Sequence, residues 1–172
     1  AVGLAGAWLA LGAHTPYQRW KVYRQRHLLI VASKTDPEAF RLCKAIATVL
    51  AADLPESQAR ASRAPNLVRI ASLLGTAQMD VAVLAHADAA ALNEGAGPFA
   101  ETGAVTLRTL FFIDRHLLVC RADFPQEHGF LIAEALDHNG SALPGAVPDE
   151  GSVPVPVHPG ALEYRRTRNG SG

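Results

Sequence analysis

The sequence predicts an α/β fold, a parallel sheet with helices on both faces. Three observations predict it. Short, almost wholly apolar runs, HLLIVAS (27–33) and MDVAVLA (79–85), have the signature of strands buried on both sides. Segments with apolar residues at helical spacing follow them. The two kinds alternate, strand–helix–strand–helix–strand–helix, as parallel strands joined by helical crossovers require. A chain of 172 residues, 49% of them apolar, is long enough for one domain with a substantial core.

The elements follow in order. The strand 27–33 ends in Ser33-Lys34-Thr35-Asp36-Pro37, where Asp36 is an N-cap and Pro37 a first helical residue. Phe40, Cys43, Ile46, Ala47 and Leu50 carry that helix to about Ala52. Pro55 breaks it, and QARAS (58–62) reads as a weak strand. Pro65-Asn66 opens a second helix with Leu67, Ile70, Ala71 and Leu74 on one face, and Gly75 ends it. After the strand 79–85, HADAAALNEG (86–95) is a helix closed by Gly95. Residues 105–121 read as two strands broken near Asp114-Arg115. Asp123 is a candidate cap for a helix over 126–138, with Phe130, Leu131 and Ala135 facing inward. The Pro- and Gly-rich stretch 139–159 reads as a long loop, and 167–172 (TRNGSG) as a frayed tail.

Residues 1–26 stand apart from the domain. AVGLAGAWLALGA (1–13) is continuously apolar but shorter than the roughly 20 residues a spanning helix needs. It fits the end of a signal peptide or an anchor, or else a buried helix. Tyr17, Trp20, Tyr23 and Arg24 suit a collar at a membrane interface, or a short solvated helix leading into the domain. The basic residues Arg19, Lys21, Arg24 and Arg26 favour retention on the cytoplasmic side, so export requires a stronger basic flank upstream.

Charge and motifs exclude several functions. Sixteen basic residues balance sixteen acidic ones, which argues against a general nucleic-acid binder. Cys43 and Cys120 lack zinc or redox spacing; a disulfide is permitted in an exported protein, and two buried thiols are the plainer reading. The seven histidines are scattered without ligand spacing. No GxSxG, GxGxxG or P-loop is present, so the chain reads as a non-enzymatic binder with no cofactor or metal. In an open parallel sheet, ligands sit outside the carboxyl ends of the strands. Three loops meet there, Ser33–Thr35, Ser62–Asn66 and Ala85–Asp88, and the first two precede helix N-termini that favour anions. Ser33, Lys34, Thr35, Ser62, Arg63, Asn66 and His86 are the candidate ligand-binding residues, with Lys34 and Arg63 supplying positive charge. Ordinary polar connections are the alternative reading of these loops.

VPVHPGALEY (155–164) closely resembles the C-terminal signature of the TAXI family, the periplasmic solute-binding receptors of tripartite ATP-independent transporters. NLVRIASLLGTAQMDVAVLAHAD (66–88) and LLVCRADFPQEHGFLIAEAL (117–136) are similar to two further segments of that family, so the likeness covers most of 27–166. The resemblance implies a periplasmic-binding-protein-like lobe, and the apolar run 1–13 with its collar adds the expectation that it is held at the membrane through its N-terminus. It implies a bound solute and a transporter subunit as partner; the cationic loops make that solute a small anion, a carboxylate or amino acid. On this reading His158, Pro159 and Gly160 form a rigid turn that pins the last helix, with Tyr164 packing down. Two departures stand out. The family's Gly-rich loop after the first strand is here Ala32-Ser33-Lys34-Thr35-Asp36-Pro37, and its Thr-Gly-Gly-Ser turn is Ala61-Ser62-Arg63-Ala64-Pro65. The family's second lobe would need roughly 100 more residues, so the expectation is a single lobe whose second face, if it has one, comes from another protein. A membrane-tethered interaction module that keeps the receptor fold without a solute is the competing expectation.

Overall fold

The computed structural model describes residues 27–145 and 153–170. The signal, anchor and collar expectations, and the middle of the Pro/Gly-rich stretch, lie outside them. The strands are β1 (Leu29–Ser33), β2 (Arg60–Ala64), β3 (Val81–Ala85), β4 (Leu107–Ile113) and β5 (His116–Arg121). The helices are α1 (Pro37–Asp53), α2 (Leu67–Gly75), α3 (His86–Glu94), α4 (Gln126–His138) and α5 (Pro159–Asn169). Short 3-10 turns lie at Pro55–Ser57, Gly97–Phe99 and Gly140–Ala142.

The strands form one sheet in the order β2-β1-β3-β5-β4. β1 pairs with β2 and β3 in parallel, as expected for crossover units. β5 runs antiparallel to both β3 and β4, so the sheet is mixed rather than parallel throughout. The reason is local. Only Asp114-Arg115 separates β4 from β5, and so short a connection can join only antiparallel neighbours. Asp114 has φ +52°, the left-handed conformation that such a turn demands.

Two apolar layers sandwich the sheet. On one face Ile30, Ala32, Val83 and Leu118 pack against Cys43, Ile46 and Leu50 of α1 and Leu131, Ile132 and Leu136 of α4. On the other, Val31, Leu84, Leu117 and Val119 meet Ile70 and Leu74 of α2 and Leu92 of α3. Cys43 and Cys120 are free and buried in the first layer, so the permitted disulfide is not formed. β2 starts two residues later than the sequence suggests, after Gln58 takes a left-handed turn at φ +46°. Its sequence, RASRA, has little intrinsic strand preference; pairing with β1 imposes the conformation. Asp123 does not cap α4, whose N-cap is Pro125; it holds Arg121 with bonds of 2.9 and 2.6 Å instead. Phe130 is half-buried and turns toward α5, edge-on to Tyr164.

The C-terminal run closes the far edge of the sheet. Thr109 N–H donates to Pro156 O at 2.8 Å and His158 N–H to Thr109 O at 2.8 Å, a parallel bridge centred on Val157. Pro154 and Pro156 have no N–H to offer β4, so the pairing stops at a bridge instead of growing into a strand. The polypeptide then turns into α5, which packs on α4 and stays helical to Asn169, past the point where fraying was expected.

Candidate functional site

Parallel pairing puts the carboxyl ends of β1, β2 and β3 on one edge of the sheet. The antiparallel β5 brings its first residue, His116, opposite Ala85 on that same edge. The chain leaves β1 over one face, into α1, and the adjacent β3 over the other, into α3, so β1 and β3 flank the crevice where connections diverge.

The protein fills this crevice with its own groups. Asp36 caps α1 by accepting from Ala39 N–H at 2.9 Å, and its other oxygen meets His116 Nε2 at 2.8 Å. Burial alone would raise the Asp36 pKa, but the Ala39 N–H and His116 outweigh it and hold the carboxyl below its ordinary value. Asp88, at the start of α3, is pushed upward by burial and by the charge of Asp36. Ser33 is buried, and its hydroxyl lies 2.7 Å from that of Thr35 while accepting from Thr35 N–H at 3.1 Å. The α1 N-terminus is thus occupied by a carboxylate. The α2 N-terminus is capped by Asn66, which accepts from Arg69 N–H at 2.9 Å. The two helix ends expected to attract a ligand are already satisfied from within.

Beside the crevice lies a basic groove of about 520 Å³, lined by Ser33, Lys34, Pro37, Phe40, Arg41, Lys44 and Arg63. α1 supplies one wall and the end of β2 the other. Phe40 is the floor. The Arg63 guanidinium carbon stands 3.8 Å from its ring centroid and Lys44 Nζ 5.3 Å from it. Arg41 is paired with Glu38, one helical turn back. Lys34, Lys44 and Arg63 have no acidic partner among the described residues. A guanidinium resting on an aromatic face keeps its edge donors for an oxyanion and is less free to wander. Chemically, the groove can hold an anion. Cys43, packed behind it, is pushed up to about 12 by burial and behaves as an apolar side chain.

The structure divides the predicted residues. It brings Ser33, Lys34 and Arg63 together in the groove. Thr35 is spent on the Ser33 turn and Asn66 on its cap. Along β2 side chains alternate, so Ser62 sits on the α2 face with Ala64 while Arg63 sits on the α1 face with Ala61. His86 belongs to the crevice; its N–H donates to Arg115 O at 3.1 Å, and its buried Nε2 has no hydrogen-bond partner among the described residues. Sequence reasoning misses Phe40, which reads as part of the apolar stripe of α1, and Lys44, which its spacing places one turn further along the same helix. It also missed the Asp36–His116 pair, eighty residues apart in sequence, which has no local signal. Among the described residues no group of three or more His, Cys, Asp or Glu is placed to hold a metal ion, and no helix is long and apolar enough to cross a membrane.

The His-Pro-Gly run is a buried joint. His158 caps α5 by accepting from Gly160 N–H at Nδ1, 3.2 Å, and donates from Nε2 to Phe124 O at 2.8 Å. Those two bonds fix a neutral ring with its proton on Nε2. Burial pushes the ring's pKa below the usual imidazole value, against the pull of the Phe124 carbonyl. Gly129 of α4 lies flat against this ring, and Gly160 against Gln126 O and Phe130 N; a Cβ at either place would enter its neighbour. Tyr164 is buried and donates to Asp137 at 2.7 Å.

No protein-family model and no curated protein matches this chain.

Proposed function

We propose that this chain is a single-lobe solute-binding receptor of the TAXI type, which holds a small anionic metabolite, a carboxylate or amino acid, without chemistry. The observation that carries this reading is the basic groove, where Lys34, Lys44 and Arg63 converge around Phe40 without acidic partners among the described residues. The single α/β lobe and the joint at His158 agree with the resemblance of VPVHPGALEY to that family. A periplasmic location, an N-terminal membrane anchor and a transporter subunit as partner belong to the same proposal. A thermal-shift titration of the chain against small carboxylates and acidic amino acids tests it. A ligand at 100 times its dissociation constant should stabilise by about 2.7 kcal/mol. The Lys34→Ala/Arg63→Ala variant should lose the shift, and an unchanged shift would move the site elsewhere.

A second reading, an interaction module that no longer holds a solute, is favoured by one observation. Among the described residues the groove is walled by α1, the end of β2 and the β1–α1 turn at Ser33 and Lys34, and it lies open along the edge of the sheet. A small ligand there keeps much of its surface in water, which leaves few contacts to offset the entropy of binding.

A further inference from the structure

The wall that the groove borrows from β2 is also a sheet edge. Among the described residues β2 pairs with β1 alone, and the register fixes which of its groups look outward. Arg60 N–H donates to Leu28 O at 2.9 Å and Ala64 O accepts from Lys34 N–H at 2.8 Å, so residues 60, 62 and 64 address β1. The N–H and C=O groups of Ala61 and Arg63 therefore point away from the sheet. Their side chains lie on the α1 face, the face of the groove. Arg60 and Arg63 are both exposed, so positive charge lines this edge on both faces.

We infer that β2 is a docking edge for an extended acidic segment of a partner protein, which adds as a strand beside Ala61 and Arg63. Rows of free backbone groups are a template for strand addition, and side-chain pockets at alternate positions give it specificity. Here the pocket beside the edge is the basic groove. A strand paired to Ala61–Arg63 projects every second side chain to the α1 face, where a Glu or Asp carboxylate meets Arg63 over Phe40, with Lys44 and Lys34 around it. Two arginines on one short edge oppose pairing with a second copy of this strand and favour an acidic one. This inference rests on the groove being an anion site and names the carrier of the anion.

The test uses the full chain and a fluorescent, end-blocked peptide, Glu-Val-Glu-Val-Glu, followed by anisotropy and by hydrogen exchange. The expected result is saturable binding, slowed exchange at the Ala61 and Arg63 amides, and at least tenfold weaker binding of a peptide N-methylated at its central residues. Arg63→Glu should weaken binding by a comparable factor, and the peptide modification keeps the test informative if that variant folds poorly. Equal binding of the N-methylated peptide, or unchanged exchange at Ala61 and Arg63, overturns strand addition. If free carboxylates still bind in the groove in that case, the receptor reading stands alone. If neither peptide nor free carboxylate binds, both fall. Equal displacement by heparin at matched charge would reduce the interaction to unspecific electrostatics and overturn the proposal as well.

Discussion

His158 holds the C-terminal helix as an uncharged ring, because Gly160 N–H points at one nitrogen and the Phe124 carbonyl takes the proton of the other. Adding a proton would set two donors face to face in a site with 1% exposure. Its folded-state pKa lies below the unfolded value of 6.5, and the Arg108 charge pushes the same way as burial. The His158 contribution to stability is therefore complete above about pH 6.5 and declines as pH falls below it toward the folded value. Urea denaturation at pH 7 and pH 5 should show that loss in the parent and a smaller one in His158→Gln; equal losses would refute the neutral ring. Gly129→Ala and Gly160→Ala should each cost about 1–3 kcal/mol by overpacking, measured by the same denaturation, because the added methyl meets a buried ring in one case and backbone in the other. The residue types of this joint are legible in the His-Pro-Gly run. Its counterpart, Gly129, is not, since a glycine inside a helix reads as a weakness until the ring against it is known.

Among the elements, α1 carries the most. Its cap, Asp36, ties the first turn to β5 through His116 and leaves the exposed side of the helix to the groove. Two variants separate these roles. Asp36→Asn keeps a good N-cap and weakens the His116 contact, whereas Asp36→Ala removes both, so the alanine variant should be less stable by about 1 kcal/mol. Equal losses, measured as urea midpoints, would mean the cap contributes nothing. Since the Asp36 pKa is depressed, its contribution is present above the unfolded value of 3.8 and is lost as pH falls through the folded one. The helices and the apolar strands were legible because their periods are strong: Cys43, Ile46, Ala47 and Leu50 are all buried as the spacing requires. The sequence puts β2 two residues early because Ala, Arg and Ser carry almost no strand signal of their own. The antiparallel hairpin reads as two strands in the sequence, but its direction follows from the two-residue turn rather than from the apolar pattern.

Over the whole molecule, a net charge of zero conceals a local one. Lys34, Lys44 and Arg63 are drawn to one end of one sheet edge by a strand ending, a helix turn and a neighbouring strand, and no count of charges reveals that. Lys34 and Arg63 could be chosen from the sequence because loops after parallel strands share an edge; Lys44 and Phe40 needed the packing of α1 against β2. Binding at such an exposed cationic groove should weaken steadily as salt rises from 50 to 300 mM, and salt-independent affinity would point to burial of apolar surface instead. The most direct measurement is an amide chemical-shift map of the chain titrated with a small dicarboxylate at low ionic strength. Saturable shifts confined to Lys34, Phe40, Arg41, Lys44 and Arg63 are expected, with the far joint at His158 and Gly160 unmoved. No saturable shift up to millimolar ligand, or shifts centred on His86, Asp88 and His116 instead, would contradict it.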